Sequence, residues 1–269
     1  MKRVFPAVLV AATALALAFF LLPVVALFVH MPPGRLLALL GSQAARDALV
    51  VSLKTNLIAE ALILGVGTPA AYLLARRRFR GRALAITAVE LPLVLPPAVG
   101  GIALLVTFGR LGLLQGFGGI AFTQAAVVVA ICFVAGPFYV RPAIAAFEAV
   151  DQAQLDAART LGAGPARVFG RIALPLAVGG LGAGAALSFA RGLGEFGATI
   201  MFAGSLQGVT QTLPLAFYAE FDRNLDVAIA LGALLVVFSA AILLLVKLIP
   251  RWTRSVSTSP FRAAPSSSS

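Results

Sequence analysis

The chain has one cysteine, one histidine and ten acidic residues among its 269. The single cysteine, Cys132, excludes an intrachain disulfide, and inside an apolar run it reads as a small packing residue. The single histidine, His30, excludes a bis-histidine haem site and any His-rich metal cluster, so no metal site is expected. There is no glycine-rich phosphate loop ending in Gly-Lys-Ser or Gly-Lys-Thr. Lys54-Thr55 comes nearest, and it lacks the glycines whose amides cradle phosphate. No serine or cysteine has a convincing base partner, so catalysis is not expected. Charge is scarce as well: Asp, Glu, Lys and Arg make up 12% of the chain, about half the share of an average soluble domain.

Apolar residues make up 60% of the chain, and the mean hydropathy is +1.00. Several runs of about twenty apolar residues are each long enough to cross a hydrocarbon core of roughly 30 Å as a helix. With no water in that core, backbone groups must pair internally, which favours helices. The expectation is an all-α multi-pass membrane protein with six spans near residues 5–29, 57–75, 84–108, 122–144, 174–203 and 227–249.

The net charge of +11 does not point to a nucleic-acid partner, because the basic residues flank apolar runs rather than forming a stripe. With the N-terminus inside, fifteen of the 21 basic residues fall on or at the inner side, including the run Arg76, Arg77, Arg78, Arg80 and Arg82. The positive-inside bias therefore predicts six spans in the cytoplasmic (inner) membrane with both termini cytoplasmic. The Lys2-Arg3 start and the Val24-Val25-Ala26 stretch resemble a signal peptide. The apolar run of about 24 residues exceeds a signal core of roughly 7–15, so an uncleaved first helix is expected. Residues 1–255 are expected to form the membrane domain. Residues 256–269, rich in serine with Pro260 and Pro265, are expected to be a disordered tail.

One segment, Asp156 to Pro175, is too polar for lipid burial. Asp151 is a good helix cap, with Gln154 three residues on to complete a capping box. The helix is expected to end near Leu161, where Gly162 supplies a left-handed turn. Gly164-Pro165 then starts a second helix, proline being tolerated in the first turn. The expected product is a helix, a tight turn and a second helix lying across the cytoplasmic surface.

Asp156-Ala157-Ala158, three residues, Gly162, nine residues, then Ile172-Ala173-Leu174-Pro175 is similar to the EAA loop of ABC-importer permeases. Asp for Glu is the one departure. The resemblance implies a type I ABC importer permease fold in which this loop is a coupling helix docking on a separate ATPase subunit. Ala157 and Ala158 would permit close approach, Asp156 would offer a carboxylate, and Gly162 would set the angle. Ile172, Leu174 and Pro175 complete the motif. It also implies a dimeric ATPase that binds ATP-Mg, with no cofactor in this chain, two copies of the chain, and a periplasmic or lipid-anchored oxyanion-binding protein. Leu91–Gly101, Phe108–Leu114, Phe147–Ala177 and especially Arg191–Gly204, with GEFGATI, resemble the molybdate branch of these permeases. Tungstate and sulfate or thiosulfate are the alternative substrates. Gly100-Gly101 after the double proline and Leu111 depart mildly from that pattern.

The residues themselves leave the pathway open. Pro92, Pro96 and Pro97 remove backbone donors and are expected to break the helix, which suits either a cavity-lining interruption or a simple kink. Arg191 and Glu195, one turn apart in the fifth span, read as an intrahelical ion pair or as a contact for a passing oxyanion. Gly179, Gly180, Gly182 and Gly184 suit close helix approach within the fold or between copies. Lys54 is expected to snorkel near the outer end of the second span, while Glu60 and Glu90 have no partner that the sequence can name. The segments Arg35–Asp47 and Gly204–Asp226 are candidate docking surfaces for the binding protein. An ion-coupled secondary transporter would need inverted repeats, which are not evident, and a purely structural membrane protein would not need the loop spacing.

Overall fold

Gly81, the Pro96-Pro97 pair and Gly162 mark helix ends. Pro23, Pro69, Pro137 and Pro142 lie inside helices, and so does Pro92, contrary to the break expected there. The computed structural model describes residues 4–29, 34, 38–39, 41–110, 112–114 and 119–255. His30, Arg35, Leu111 and the expected tail at 256–269 lie outside the described residues, and all regular structure within them is helical. The first helix, α1 (Val4–Val29), presents its apolar surface outward along its length and packs on the last helix.

α2 (Gln43–Arg76) starts where the Ser42 hydroxyl accepts the Ala45 N–H at 3.3 Å, and it is longer at its start than the span expected from residue 57. Gly81, at φ +91°, turns the chain into α3 (Arg82–Val94). The expected span at 84–108 is not one rod. Leu95 and Pro96 are extended, Pro97 opens α4 (Pro97–Phe108), and the two helices meet at 116°. Two consecutive prolines remove two donors and force the residue before each of them out of helical geometry, so the break is dictated locally.

α5 (Gln124–Glu148), capped by the Thr123 hydroxyl on the Ala126 N–H at 3.4 Å, is the central and most buried helix. After it come α6 (Gln152–Thr160) and α7 (Pro165–Val168). A single π turn, Phe169–Ala173, leads directly into α8 (Leu174–Leu193). α9 (Gly197–Ala203), α10 (Leu213–Phe221) and α11 (Leu225–Ser255) are the last helices among the described residues. Among the described residues, five helical stretches are long and apolar enough to cross a membrane, or six if the bent pair counts as one span.

α2 and α8 both lie along α5 and also touch each other. Lipid tails are as apolar as leucine, so close fit rather than water exclusion has to hold such a bundle together. Gly180 and Gly184 supply that fit against Ala146, Tyr139 and Pro142 of α5, whereas a Cβ on Gly179 or Gly182 would meet nothing within 4 Å among the described residues. The segment expected as a polar surface from Gly204 to Asp226 is different in kind. Leu213, Pro214, Leu215 and Ala216 of α10 are buried, and the Leu213 N–H donates to Ser52 Oγ at 2.7 Å. Polar composition at its two ends disguises an apolar helix in its middle.

Candidate functional site

The polar loop after α5 is built from local rules. Asp151 caps α6 by accepting the Ala153 N–H at 3.0 Å, so the cap forms without the expected Gln154 half of a capping box. Leu155 is fully buried and seats α6 on the bundle. The other faces are exposed: Asp156 pairs with Arg159 at 2.7 Å and accepts from Gln152 at 3.1 Å, Ala157 is exposed, and Ala158 is half-buried. The helix then closes as a Schellman motif. The Gly162 N–H reaches the Arg159 carbonyl and the Ala163 N–H reaches that of Ala158, both at 3.0 Å, with Gly162 at φ +83°. Leu161, 88% exposed, projects from the tip.

The second helix of this loop does not lie across the surface as expected. From Pro165 it runs continuously through the π turn into α8, one helical body from Pro165 to Leu193. Pro175 gives the reason. It lacks an N–H, and its ring crowds the carbonyl four residues back, so the turn before it widens and the Leu174 N–H bonds to Phe169, five residues earlier. Ile172 and Leu174 are half-buried against the core, and Pro175 is exposed. The motif therefore divides into an exposed tip, Asp156 to Gly162, and a root packed in the bundle.

The root is tightly held. Tyr72, Phe147 and Phe169 form a three-ring cluster, with Tyr72 centroids 5.2 and 4.8 Å from the other two. Arg76 at the end of α2 donates to the Val150 carbonyl at 2.6 Å and to Gln152 at 3.1 Å. Arg82 pairs with Glu148 at 2.7 Å. Of the arginine run, Arg76 thus reaches the start of the loop and Arg82 the end of α5 that leads into it.

The pathway candidates come together away from this loop, where two broken helices cross. Pro97 and Gly101 of α4 lie against Gly197 and Ala198 of α9 at backbone distance. A Cβ on Gly101 would stand 2.6 Å from the Ala198 carbonyl oxygen, and one on Gly197 would stand 2.8 Å from Pro97 Cβ. Pro96 is the N-cap of α4. Arg191 and Glu195 pair at 2.8 Å, but not within one helix as expected: α8 ends at Leu193 and Glu195 stands in the break before α9. Its other oxygen accepts the Ala198 N–H at 2.7 Å. Arg191 also lies over the Phe138 ring, 5.9 Å from its centroid.

Sequence reasoning missed a polar seam between α2 and its neighbours. Ser52, Asn56 and Glu60 recur every four residues and so share one face of α2. Ser52 receives the first N–H of α10, Asn56 donates to the Phe189 carbonyl at 3.0 Å, and Ser188 donates to Glu60 at 3.1 Å. The four-residue spacing of polar side chains in an apolar helix was the available signal. Glu90 pairs with Arg141 at 2.7 Å, and Lys54 donates to Gln124 at 2.9 Å rather than simply reaching outward.

Helices broken at membrane depth persist where protein or a cavity covers the freed backbone, and a bundle with two such breaks in contact, a polar seam and a polar turn clamped at one end has the build of a membrane transport component. The chain belongs to the family of binding-protein-dependent transport system inner membrane components, whose description matches residues 67–255. The molybdenum transport system permease protein ModB of Mycobacterium tuberculosis is 45% identical over 231 residues, 84% of this chain and 88% of that protein. ModB of Escherichia coli K12 is 41% identical over 217 residues, 78% of this chain and 94% of its own length. Among solved structures, a bacterial alginate ABC transporter in complex with an alginate pentasaccharide-bound periplasmic protein matches with a TM-score of 0.72 at 15% identity, over 95% of each chain. That likeness gives the fold, a type I ABC importer permease.

Proposed function

We propose that this chain is the membrane-spanning subunit of an ATP-driven importer that takes up molybdate. The observation that carries the reading is the Asp156–Pro175 segment: an exposed helix and turn whose root is packed into the bundle and which continues into α8. That form suits a handle gripped from outside the chain. Identity of 45% to a molybdenum permease over most of both chains supports the substrate.

In this reading the loop faces the cytoplasm, as do both termini, and α6 docks on a separate ATPase that binds ATP-Mg. Asp156, Ala157, Ala158 and Gly162 form the contact, and Ile172, Leu174 and Pro175 connect it to the span. Two copies of the chain stand on a dimeric ATPase, and an oxyanion-binding protein delivers substrate to the opposite face. Pro96, Pro97, Arg191 and Glu195 lie along the pathway. The chain itself performs no bond chemistry and holds no cofactor. Its contribution is a bistable path that ATP-driven closure biases.

The test is reconstitution of the chain with its ATPase and binding protein in liposomes. Radiolabelled molybdate is expected to accumulate only with ATP inside the cytoplasm-equivalent compartment and with binding protein outside. Competition by unlabelled tungstate and sulfate ranks the oxyanions, and uptake of sulfate with exclusion of molybdate would overturn the substrate. Leu161, exposed at the tip, supplies a narrower test. Interface anchors of this kind contribute about 2 kcal/mol, so Leu161→Asp is expected to weaken ATPase binding about thirtyfold, read by co-purification and by titration of the ATPase onto the detergent-solubilised chain. Unaltered binding would remove Leu161 from the docking surface.

A further inference from the structure

The break between α8 and α9 holds one buried carboxylate, and α9 packs against the start of α4. Glu195 has a side chain only 1% exposed and uses its oxygens in two directions. Oε2 lies 2.8 Å from Arg191 Nη2 at the end of α8, and Oε1 accepts the Ala198 N–H of α9 at 2.7 Å. Ala198 is in turn the residue that α4 abuts. A Cβ on Gly101 would stand 2.6 Å from its carbonyl oxygen and 2.8 Å from its Cα. The contacts therefore run from Arg191 through Glu195 and Ala198 to Gly101. The last step is backbone against backbone, with no flexible side chain to absorb movement.

A neutral acceptor would suffice to cap α9. A carboxylate does more, because it also balances the Arg191 guanidinium, whose side chain is 27% exposed and rests on Phe138. Taking one member from such a pair leaves an uncompensated charge inside the bundle, which is far more disruptive than removing both.

We propose that Glu195 is a positioning residue for transport: it ties α9, and through α9 the bent α4, to the cation at the end of α8, so that the three segments move as one body when α8 tilts. This rests on the transport reading above, and the same experiment separates the two. In liposomes holding the chain with its ATPase and binding protein, molybdate import by the wild-type complex tests that reading, and its absence would overturn it alone. Glu195→Gln keeps an acceptor for the Ala198 N–H and removes the ion pair. Its maximal import rate is expected to fall about tenfold or more, from the unpaired charge. The ATP hydrolysed per molybdate is expected to rise several-fold, because α8 then moves without the segments it should carry.

Adding Arg191→Gln to that variant is expected to recover part of the loss, since members of one pair do not act additively. Glu195→Asp, which keeps the charge but is one methylene shorter, should fall between wild type and Gln. It serves as the readout if the Gln variant fails to accumulate in the membrane. Import by Glu195→Gln at the wild-type rate and stoichiometry would overturn the proposal. So would a loss confined to thermal stability with an unchanged ATP-to-molybdate ratio, or a double variant no better than the poorer single one.

Discussion

Gly162→Val is expected to abolish ATP-coupled molybdate uptake while the chain still inserts in the membrane at normal abundance. Gly162 sits at φ +83°, where a side chain costs about 1–2 kcal/mol and a β-branched one more. The space around it is open, so the penalty comes from the backbone and not from a clash. Relief requires the residue to leave the left-handed region, which breaks the two bonds that close α6, Gly162 N–H to Arg159 and Ala163 N–H to Ala158. The direction of the chain leaving α6 then changes, and with it the angle between the exposed tip and α8. The spans lose no packing, so insertion and thermal stability of the bundle should barely change. Stimulation of ATP hydrolysis by loaded binding protein is the sensitive measure, and normal stimulation in the valine variant would remove this turn from the coupling path. Gly162→Asn, which tolerates left-handed geometry, should retain most activity.

Gly101→Val should act in the opposite way, on the bundle itself. Its Cβ would stand 2.6 Å from the Ala198 carbonyl oxygen and 2.8 Å from both Ala198 Cα and Met201 Cβ. Two of these three are backbone atoms of α9, which cannot rotate aside, so α4 and α9 must separate. Overpacking of this kind costs about 1–3 kcal/mol for a well-packed site, and the backbone location places this case at the upper end. The expected result is a clear fall in membrane accumulation and in the melting temperature of the detergent-solubilised protein. Gly100→Ala is the control. Its Cβ meets only the edge of the Phe133 ring, at 2.9 Å, and a ring on a rotatable side chain can give way. Equal stability of Gly101→Val and wild type would show that α4 and α9 are not in backbone contact.

The parts of the fold legible in the sequence were those governed by neighbours along the chain. Length and apolarity announced the helices. The double proline announced a break, Asp151 a cap and Gly162 a left-handed turn, because each acts within a few residues of itself. The rest depends on residues far apart. Glu90 finds Arg141 across about fifty positions, and Glu60 finds Ser188 across more than a hundred. No spacing rule encodes such meetings. Arg191 and Glu195 show a subtler failure. Their four-residue spacing suggested one continuous helix, and the pair does form, but across a break that Gly192 and Gly194 permit and that Glu195 itself stabilises by capping α9. The helix expected on the surface after Gly164 failed for the converse reason. Pro175 widens the turn before it without ending the helix, so Pro165 opens the span rather than a separate element.

That continuity has a mechanical side. A helical body of 29 residues is about 43 Å long at 1.5 Å per residue. Pivoted near its middle, such a rod turned by about 10° swings each end by roughly 4 Å in opposite senses, by simple trigonometry on that length. The Pro165 end adjoins the exposed turn proposed to dock on the ATPase, and the far end carries Arg191. A modest pull on one arm thus reappears as a comparable, reversed stroke at the other, with the leverage set by where Gly180 and Gly184 rest on α5 as fulcrum.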